Sequence, residues 1–252
     1  MSEDLDPFKI FLDLQLGLPR NGPGSAASTA RAFAMLPGLP ANARLLDIGC
    51  GQGASTFELL RLTSGHVTAV DLFEPFLDKL AARAERARIG EDRLTIKRGD
   101  MAALPFHDGE FDLVWSEGAI YLVGFETGLR LWRRLVKPGG FVAVTECTWL
   151  TDAPAAEARA FWNDAYPGMG TVAENSAAAE RTGYEIIGTF TLPQEDWWTE
   201  YYTPMRVRIA EMRATYGAAA RAVLDQEEAE IALFERCGAD YSYVFYVLRR
   251  EE

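Results

Sequence analysis

From Arg44 onward, short apolar runs alternate with stretches whose apolar residues recur every three or four positions. The runs Leu45–Ile48, Val67–Val70, Leu94–Lys97, Phe111–Trp115 and Phe141–Thr145 are bounded by Gly, Asp or polar residues, the pattern of buried strands. Between them the period lengthens. A helix is predicted near Ser55–Leu62; Leu77, Leu80, Ala84 and Ala87 share a helical face; so do Phe125, Leu129, Trp132 and Val136, with Lys137-Pro138-Gly139-Gly140 as the stop signal. Strands that alternate with helices form βαβ units, so the expected fold class is α/β with a mostly parallel sheet and right-handed crossovers.

After Thr148 the rhythm changes. Ala158, Phe161, Trp162 and Ala165 predict a helix, Tyr184–Leu192 a strand, and Thr203-Pro204 a helix start with proline at the first position. Gly217 splits the helical region that follows, and Tyr241–Leu248 is a strand rich in Tyr and Val. Ahead of the alternation lie an amphipathic stretch, a turn over Pro19–Ser25, and a helix capped by Ser28 or Thr29 that runs to Met35. The expectation is one domain: residues 1–43 a helical and loop cap, 44–192 the core, 193–239 a helical lid inserted late, and 240–252 the final strand.

Composition narrows the function. The 252 residues are 48% hydrophobic, a globular value, and carry a net charge of −12. That charge argues against nucleic acid or an anionic membrane as partner and leaves a small molecule. Cys50, Cys147 and Cys237 are odd in number and form no CxxC; the N-terminus lacks a basic-then-apolar leader, and no apolar run is long enough to span a bilayer. A reduced, cytoplasmic protein is expected. With two histidines, a His-rich metal site is not expected; the counts alone leave a carboxylate site for a hard cation open, and the site expected here holds no metal.

In open α/β sheets, ligands bind beyond the carboxyl ends of the strands. The five predicted strands end near Asp47, Asp71, Gly99-Asp100, Ser116-Glu117 and Glu146. Any one of these acids reads as a cap or turn residue. Five on one edge would repel each other, and make better sense facing hydroxyls, amines or a cation. The first turn, Asp47-Ile48-Gly49-Cys50-Gly51-Gln52-Gly53, lets a ligand lie on bare backbone, and Asp71 follows where a ribose-binding acid would stand. Ala54 at the third fingerprint position still allows NAD(P), whereas Asp47 would repel a pyrophosphate.

LLDIGCGQGAST, VTAVDLF, GDMAALPFHDGEFDLVWSEGAIY and LVKPGG, in this order and spacing, resemble the successive motifs of the class I S-adenosylmethionine-dependent methyltransferases over roughly residues 44–148. RNGPGS, WSEGAIY, FWNDAYP and TEYYTP resemble, more narrowly, a small bacterial group of small-molecule methyltransferases. The resemblance implies a Rossmann-like seven-stranded sheet with an antiparallel last strand, and S-adenosyl-L-methionine as cofactor with S-adenosyl-L-homocysteine as product. It implies that Asp47, Gly49, Cys50, Gly51 and Gly53 face the methionine part and Asp71 the ribose hydroxyls. Leu72 would pack on the adenine, Gly99, Asp100 and Met101 would border it, and Ser116 would lie under the sulfonium. The Arg20–Gly24 loop reads either as a cover for the cofactor or as a surface turn.

For catalysis, Glu117 is the first candidate general base, with Tyr121 and Glu146 behind it; Glu117 also reads as a group that ties down its own loop. Trp149, Trp197, Trp198, Tyr201 and Tyr202 are expected to form an aromatic acceptor pocket, although residues so spaced also serve as core. The leading expectation is methyl transfer to a small molecule. An NAD(P)-dependent oxidoreductase and a non-catalytic S-adenosylmethionine-binding protein are the alternatives. For a homodimer the sequence carries no signal beyond the general tendency of the class.

Overall fold

The computed structural model describes residues 6–252. Helices α1 (Pro7–Leu16) and α2 (Ala26–Ala34) precede an alternating core of β1 (Arg44–Ile48), α3 (Ala54–Leu62), β2 (His66–Asp71), α4 (Glu74–Arg86), β3 (Leu94–Arg98) and β4 (Phe111–Ser116). There follow α5 (Phe125–Trp132), β5 (Val136–Trp149), α6 (Ala156–Ala165), α7 (Val172–Arg181) and β6 (Tyr184–Thr191). The lid consists of α8 (Glu195–Trp197), a π-helical turn at Trp198–Tyr202, α9 (Thr203–Tyr216) and α10 (Arg221–Cys237); β7 (Tyr241–Arg250) closes the chain.

The seven strands lie in the order β3-β2-β1-β4-β5-β7-β6. β1 pairs in parallel with β2 on one side and β4 on the other, so the chain reverses direction across the sheet at β1. β7 runs antiparallel to both β5 and β6, the arrangement that the resemblance implied. Each face of the sheet has its own apolar cluster, one including Leu45, Trp115 and Phe245, the other Leu46, Val144 and Tyr246. This split follows from the alternation of side chains along each strand.

Three boundaries differ from expectation. β5 starts at Val136, not Phe141, and runs to Trp149 because β7 pairs with it as far as Trp149↔Tyr241. Lys137-Pro138-Gly139-Gly140 is therefore an irregularity inside a strand, set opposite the break in register between Phe111 and Leu113. α5 already ends at Trp132 and passes through a 3₁₀ turn, Arg133–Leu135. α2 is capped by Ser25, whose Oγ accepts from the Ser28 amide at 3.1 Å, rather than by Ser28 or Thr29. Helix α7 lacked an apolar stripe to announce it, but Thr171 and Glu174 form a capping box.

A third apolar cluster is the lid's own core. It joins Ile10 and Leu14 of α1 to Trp197, Tyr202, Ile209, Leu224 and Phe234 of the lid, over Trp149 and Tyr241 at the strand ends. The N-terminal cap and the late insertion thus form one layer over the edge of the sheet where the parallel strands end.

Candidate active site

A cleft of about 430 Å³ opens where the sheet order reverses. Its floor is the glycine turn after β1. The ends of β2 and β3 form one wall, the Glu117–Val123 segment another, and α1 with the Arg20–Pro23 loop the roof.

The glycines are required by close approach. Gly49 and Gly51 have φ of +70° and +52°, a region that L side chains rarely adopt. A Cβ on Gly49 would collide with the Ala119 side chain, and one on Gly51 would sit 2.7 Å from Asn21 Oδ1. Gly53 abuts Leu80, so it serves packing rather than the cleft. The Asn21 side chain accepts from the Gln52 amide at 3.4 Å, which lays the N-terminal loop directly on the turn.

Most expected cofactor residues converge here. Gly49, Cys50, Gly51, Asp71, Leu72, Gly99, Asp100 and Met101 all line the cleft. The Asp71 carboxylate accepts from the Gly51 and Phe73 amides, both at 2.9 Å, and burial pushes its pKa up. Leu72 is 46% exposed, an apolar side chain held at the mouth with Phe8 and Phe11 close by on α1. Asp100 accepts from the Ala102 amide at 2.8 Å. Cys50 is buried and its thiol pKa is raised by burial, the opposite of an activated nucleophile.

Besides Gly53, two expected residues lie elsewhere. Asp47 is fully buried behind the turn, where Oδ2 accepts from Ser55 Oγ at 3.0 Å and Thr56 Oγ1 at 2.7 Å. It anchors the start of α3, while its Oδ1 has no partner, and burial raises its pKa to about 7. Ser116 is also sealed and its hydroxyl is unpaired; neither residue lines the cleft.

Glu117 lines the cleft but its carboxylate is engaged. Oε1 accepts from Thr29 Oγ1 at 2.7 Å and Trp115 Nε1 at 2.9 Å, and Oε2 is ion-paired with Arg20. With three donors on it, one of them a guanidinium, the carboxylate is committed to holding structure and is not turned to an acceptor. The second part of the expectation, a residue tying down its own loop, describes it better, and what it ties is the N-terminal loop. Tyr121 lines the cleft and packs edge-on to Tyr166, with ring centroids 5.8 Å apart. Glu146 lies behind that pair, nearly inaccessible and beside the Tyr166 hydroxyl; burial raises its pKa to about 8.

The expected aromatic acceptor pocket is not part of this cleft. Trp149, Trp197, Tyr201 and Tyr202 are buried in the lid core, and Trp198 packs at its margin. Trp197 stacks on Phe234 at 4.2 Å and donates to Ser242 Oγ at 2.9 Å. The lobe is small, and its aromatic rings are consumed in giving it a core. Gln15 is a lining residue that sequence reasoning did not single out, and Arg20 and Asn21 belong to the Arg20–Gly24 loop that it read either as a cover for the cofactor or as a surface turn.

Residues 45–140 match the family model described as a methyltransferase domain. The 27-O-demethylrifamycin SV methyltransferase of Amycolatopsis mediterranei is 32% identical over 133 residues, 52% of this chain and 48% of that protein. The ubiquinone/menaquinone biosynthesis C-methyltransferase of Roseobacter denitrificans is 31% identical over 150 residues, 58% of each. The chain thus spans about half the length of these curated relatives. Among solved structures, an S-adenosyl-L-homocysteine complex of a methyltransferase from Geobacter sulfurreducens superposes with a TM-score of 0.81 at 21% identity, covering 95% of this chain and 97% of that one. Family model, relatives and fold agree: residues 45–140 carry a methyltransferase domain, and the chain is similar in sequence and fold to S-adenosylmethionine-dependent methyltransferases.

Proposed function

We propose that this protein transfers a methyl group from S-adenosylmethionine to a small-molecule acceptor. One observation carries the reading. Among the described residues lining the cleft, Arg20 is the sole Lys or Arg, and it shares the cleft with the glycine turn and with Asp71, which accepts from the Gly51 amide. That is the charge layout for a nucleoside with an amino-acid tail: a guanidinium for the carboxylate, exposed backbone for the tail, and a carboxylate for vicinal hydroxyls. Leu72 supplies an apolar face for the adenine, with Asp100 and Met101 at its edge. Asp47 contributes from behind by fixing Ser55 and Thr56 at the start of α3.

When bound, the cofactor supplies a methyl carbon already activated by its sulfonium. The protein has to align the acceptor and keep water out. The N-terminal loop does the second job, clamped by Arg20–Glu117 and by Ser28 Oγ donating to Asp196 of the lid at 2.5 Å. Glu117 is a positioning residue here. Engaged with Arg20, it is not free to stabilise the sulfonium of the ground state, which would slow the step. A dinucleotide is the poorer fit, because its pyrophosphate brings two negative charges and no ammonium to a cleft whose one Lys or Arg side chain is already paired with Glu117, whereas the amino-acid tail of S-adenosylmethionine is zwitterionic.

Calorimetry tests the reading. S-adenosylhomocysteine should bind, and Arg20→Met should weaken it while leaving methylthioadenosine, which lacks the amino-acid tail, nearly unaffected. No binding of S-adenosylhomocysteine, or thermal stabilisation by NADH alone, overturns it.

A further inference from the structure

The cofactor reading uses only part of the cleft lining. Asp71, Leu72, Asp100 and Met101 stand where β2 and β3 end, and Phe8 belongs with them, its ring centroid 5.4 Å from that of Phe73. Further lining comes from the next turns of α1, with Phe11, Leu12 and Gln15, and from Tyr121 and Leu122 after β4. Phe11, Tyr121 and Leu122 are 36%, 38% and 61% exposed. Exposed large apolar side chains are not spread evenly over the described residues. Of eight, five line this one cleft, Phe8 and Leu72 being the other two. Apolar surface concentrated in this way marks a binding site.

Helix α1 supplies an independent observation. Ile10 and Leu14 are buried in the lid core. Phe8, Phe11, Leu12 and Gln15 follow the i, i+3, i+4, i+7 spacing of another face, and all four line the cleft. A surface helix needs one apolar stripe to hold it to the core. α1 carries two, and the second is turned to the cleft. Charge points the same way. The charged side chains of the lining are Arg20, Asp71, Asp100 and Glu117. Arg20 and Glu117 pair with each other, and Asp71 and Asp100 accept from backbone amides. Among the described residues, neither α1 nor the Tyr121–Val123 segment adds a charged side chain to the lining. A charged molecule seated between those two segments would shed hydration and meet no counter-charge, whereas an apolar one gains by leaving water.

We infer that the methyl acceptor is an uncharged molecule with a large apolar body, seated against Phe11 and Leu12 of α1 and against Tyr121 and Leu122 after β4. The inference rests on the methyl-transfer reading above and adds the acceptor class. The step balances. The electron pair of the acceptor's nucleophilic atom forms the bond to the methyl carbon, the S–CH₃ pair returns to sulfur, and the proton that the acceptor sheds goes to water at the cleft mouth. A neutral methylated product leaves beside S-adenosylhomocysteine.

The test is calorimetry on the full chain, first with S-adenosylhomocysteine alone, then with that complex titrated with two neutral probes, flat 2-naphthol and chain-like 1-octanol. Their charged counterparts are 2-naphthoate and 2-naphthylmethylammonium, and octanoate and octylammonium. At least one neutral probe should bind at least about tenfold more tightly than both of its charged counterparts. Phe11→Ser and Leu122→Ser alter exposed positions, and each is checked by thermal unfolding. Each should weaken that probe about tenfold and S-adenosylhomocysteine much less. Val207→Ser, at an apolar residue 60% exposed on α9 outside the cleft, should bind the probe like the parent. If S-adenosylhomocysteine binds but neither neutral probe does, or a charged counterpart binds as well, or both cleft variants bind like the parent, the assignment is overturned. It is also overturned if the chain dimerises in sedimentation and Leu122→Ser makes it monomeric, because a second copy then covers this face. If S-adenosylhomocysteine itself fails to bind, the methyl-transfer reading falls first.

Discussion

Arg20 and Glu117, 97 residues apart in the chain, form an ion pair almost sealed from water, their side chains 6% and 5% exposed. It joins the N-terminal loop to the end of β4 beside the glycine turn. A buried pair costs desolvation on both sides, and removing one partner leaves a charge stranded, a loss of roughly 3–5 kcal/mol. Arg20→Met and Glu117→Gln should therefore each lower the melting temperature. The double variant should lose less than the sum, by on the order of 1–3 kcal/mol. Urea titrations of all four proteins measure the coupling; strict additivity would mean that the pair does not hold the loop.

Gly49→Ala places a Cβ against Ala119 on a backbone at φ +70°. Strain of this kind costs roughly 1–3 kcal/mol, and the Glu117–Ala119 segment must retreat to make room. The expected outcome is loss of S-adenosylhomocysteine binding by calorimetry in a protein that still melts cooperatively. Full affinity in Gly49→Ala would show that the turn does not carry the ligand.

Glu146 makes stability depend on pH. Burial lifts its pKa from the ordinary 4.5 to about 8. Between those values the folded protein holds a proton that the unfolded chain has released, so stability falls as pH rises through this window and levels off above it. The ceiling is a few kcal/mol. Glu146→Gln removes this slope, so the variant's melting temperature should gain on the parent's steadily from pH 5 to pH 8. Parallel curves would mean that the carboxyl is already ionised at pH 5 in the native state.

Trp197 should behave as core. Its ring stacks on Phe234 and is 1% exposed. Trp197→Ala should cost about 3–5 kcal/mol of stability, as large-to-small changes in cores do, with cofactor affinity retained below the melting transition. A drop in affinity at full stability would return Trp197 to the binding surface.

The five core strands, the glycine turn and the cleft-lining acids Asp71 and Asp100 were all legible in the sequence, because each is set by local periodicity or by a short motif of fixed spacing. Asp47 shows where that reading stops. A motif gives the position of a carboxylate in the chain but not the direction in which it points, and here it points at Ser55 and Thr56 and lines no part of the cleft. The lid aromatics are the larger case. Clustered Trp and Tyr fit a pocket wall and a small core equally well, and only packing against Phe234 and Tyr241 decides between them.

The sequence by itself determined the strand–helix alternation and where the cofactor turn would fall, since hydrophobic period and glycine spacing act over a few residues. Tertiary structure alone decided that Arg20 and Thr29 both meet Glu117. These encounters join segments about a hundred residues apart, and what brings them together is the burial of α1 and the lid in one shared apolar core, which no local pattern encodes.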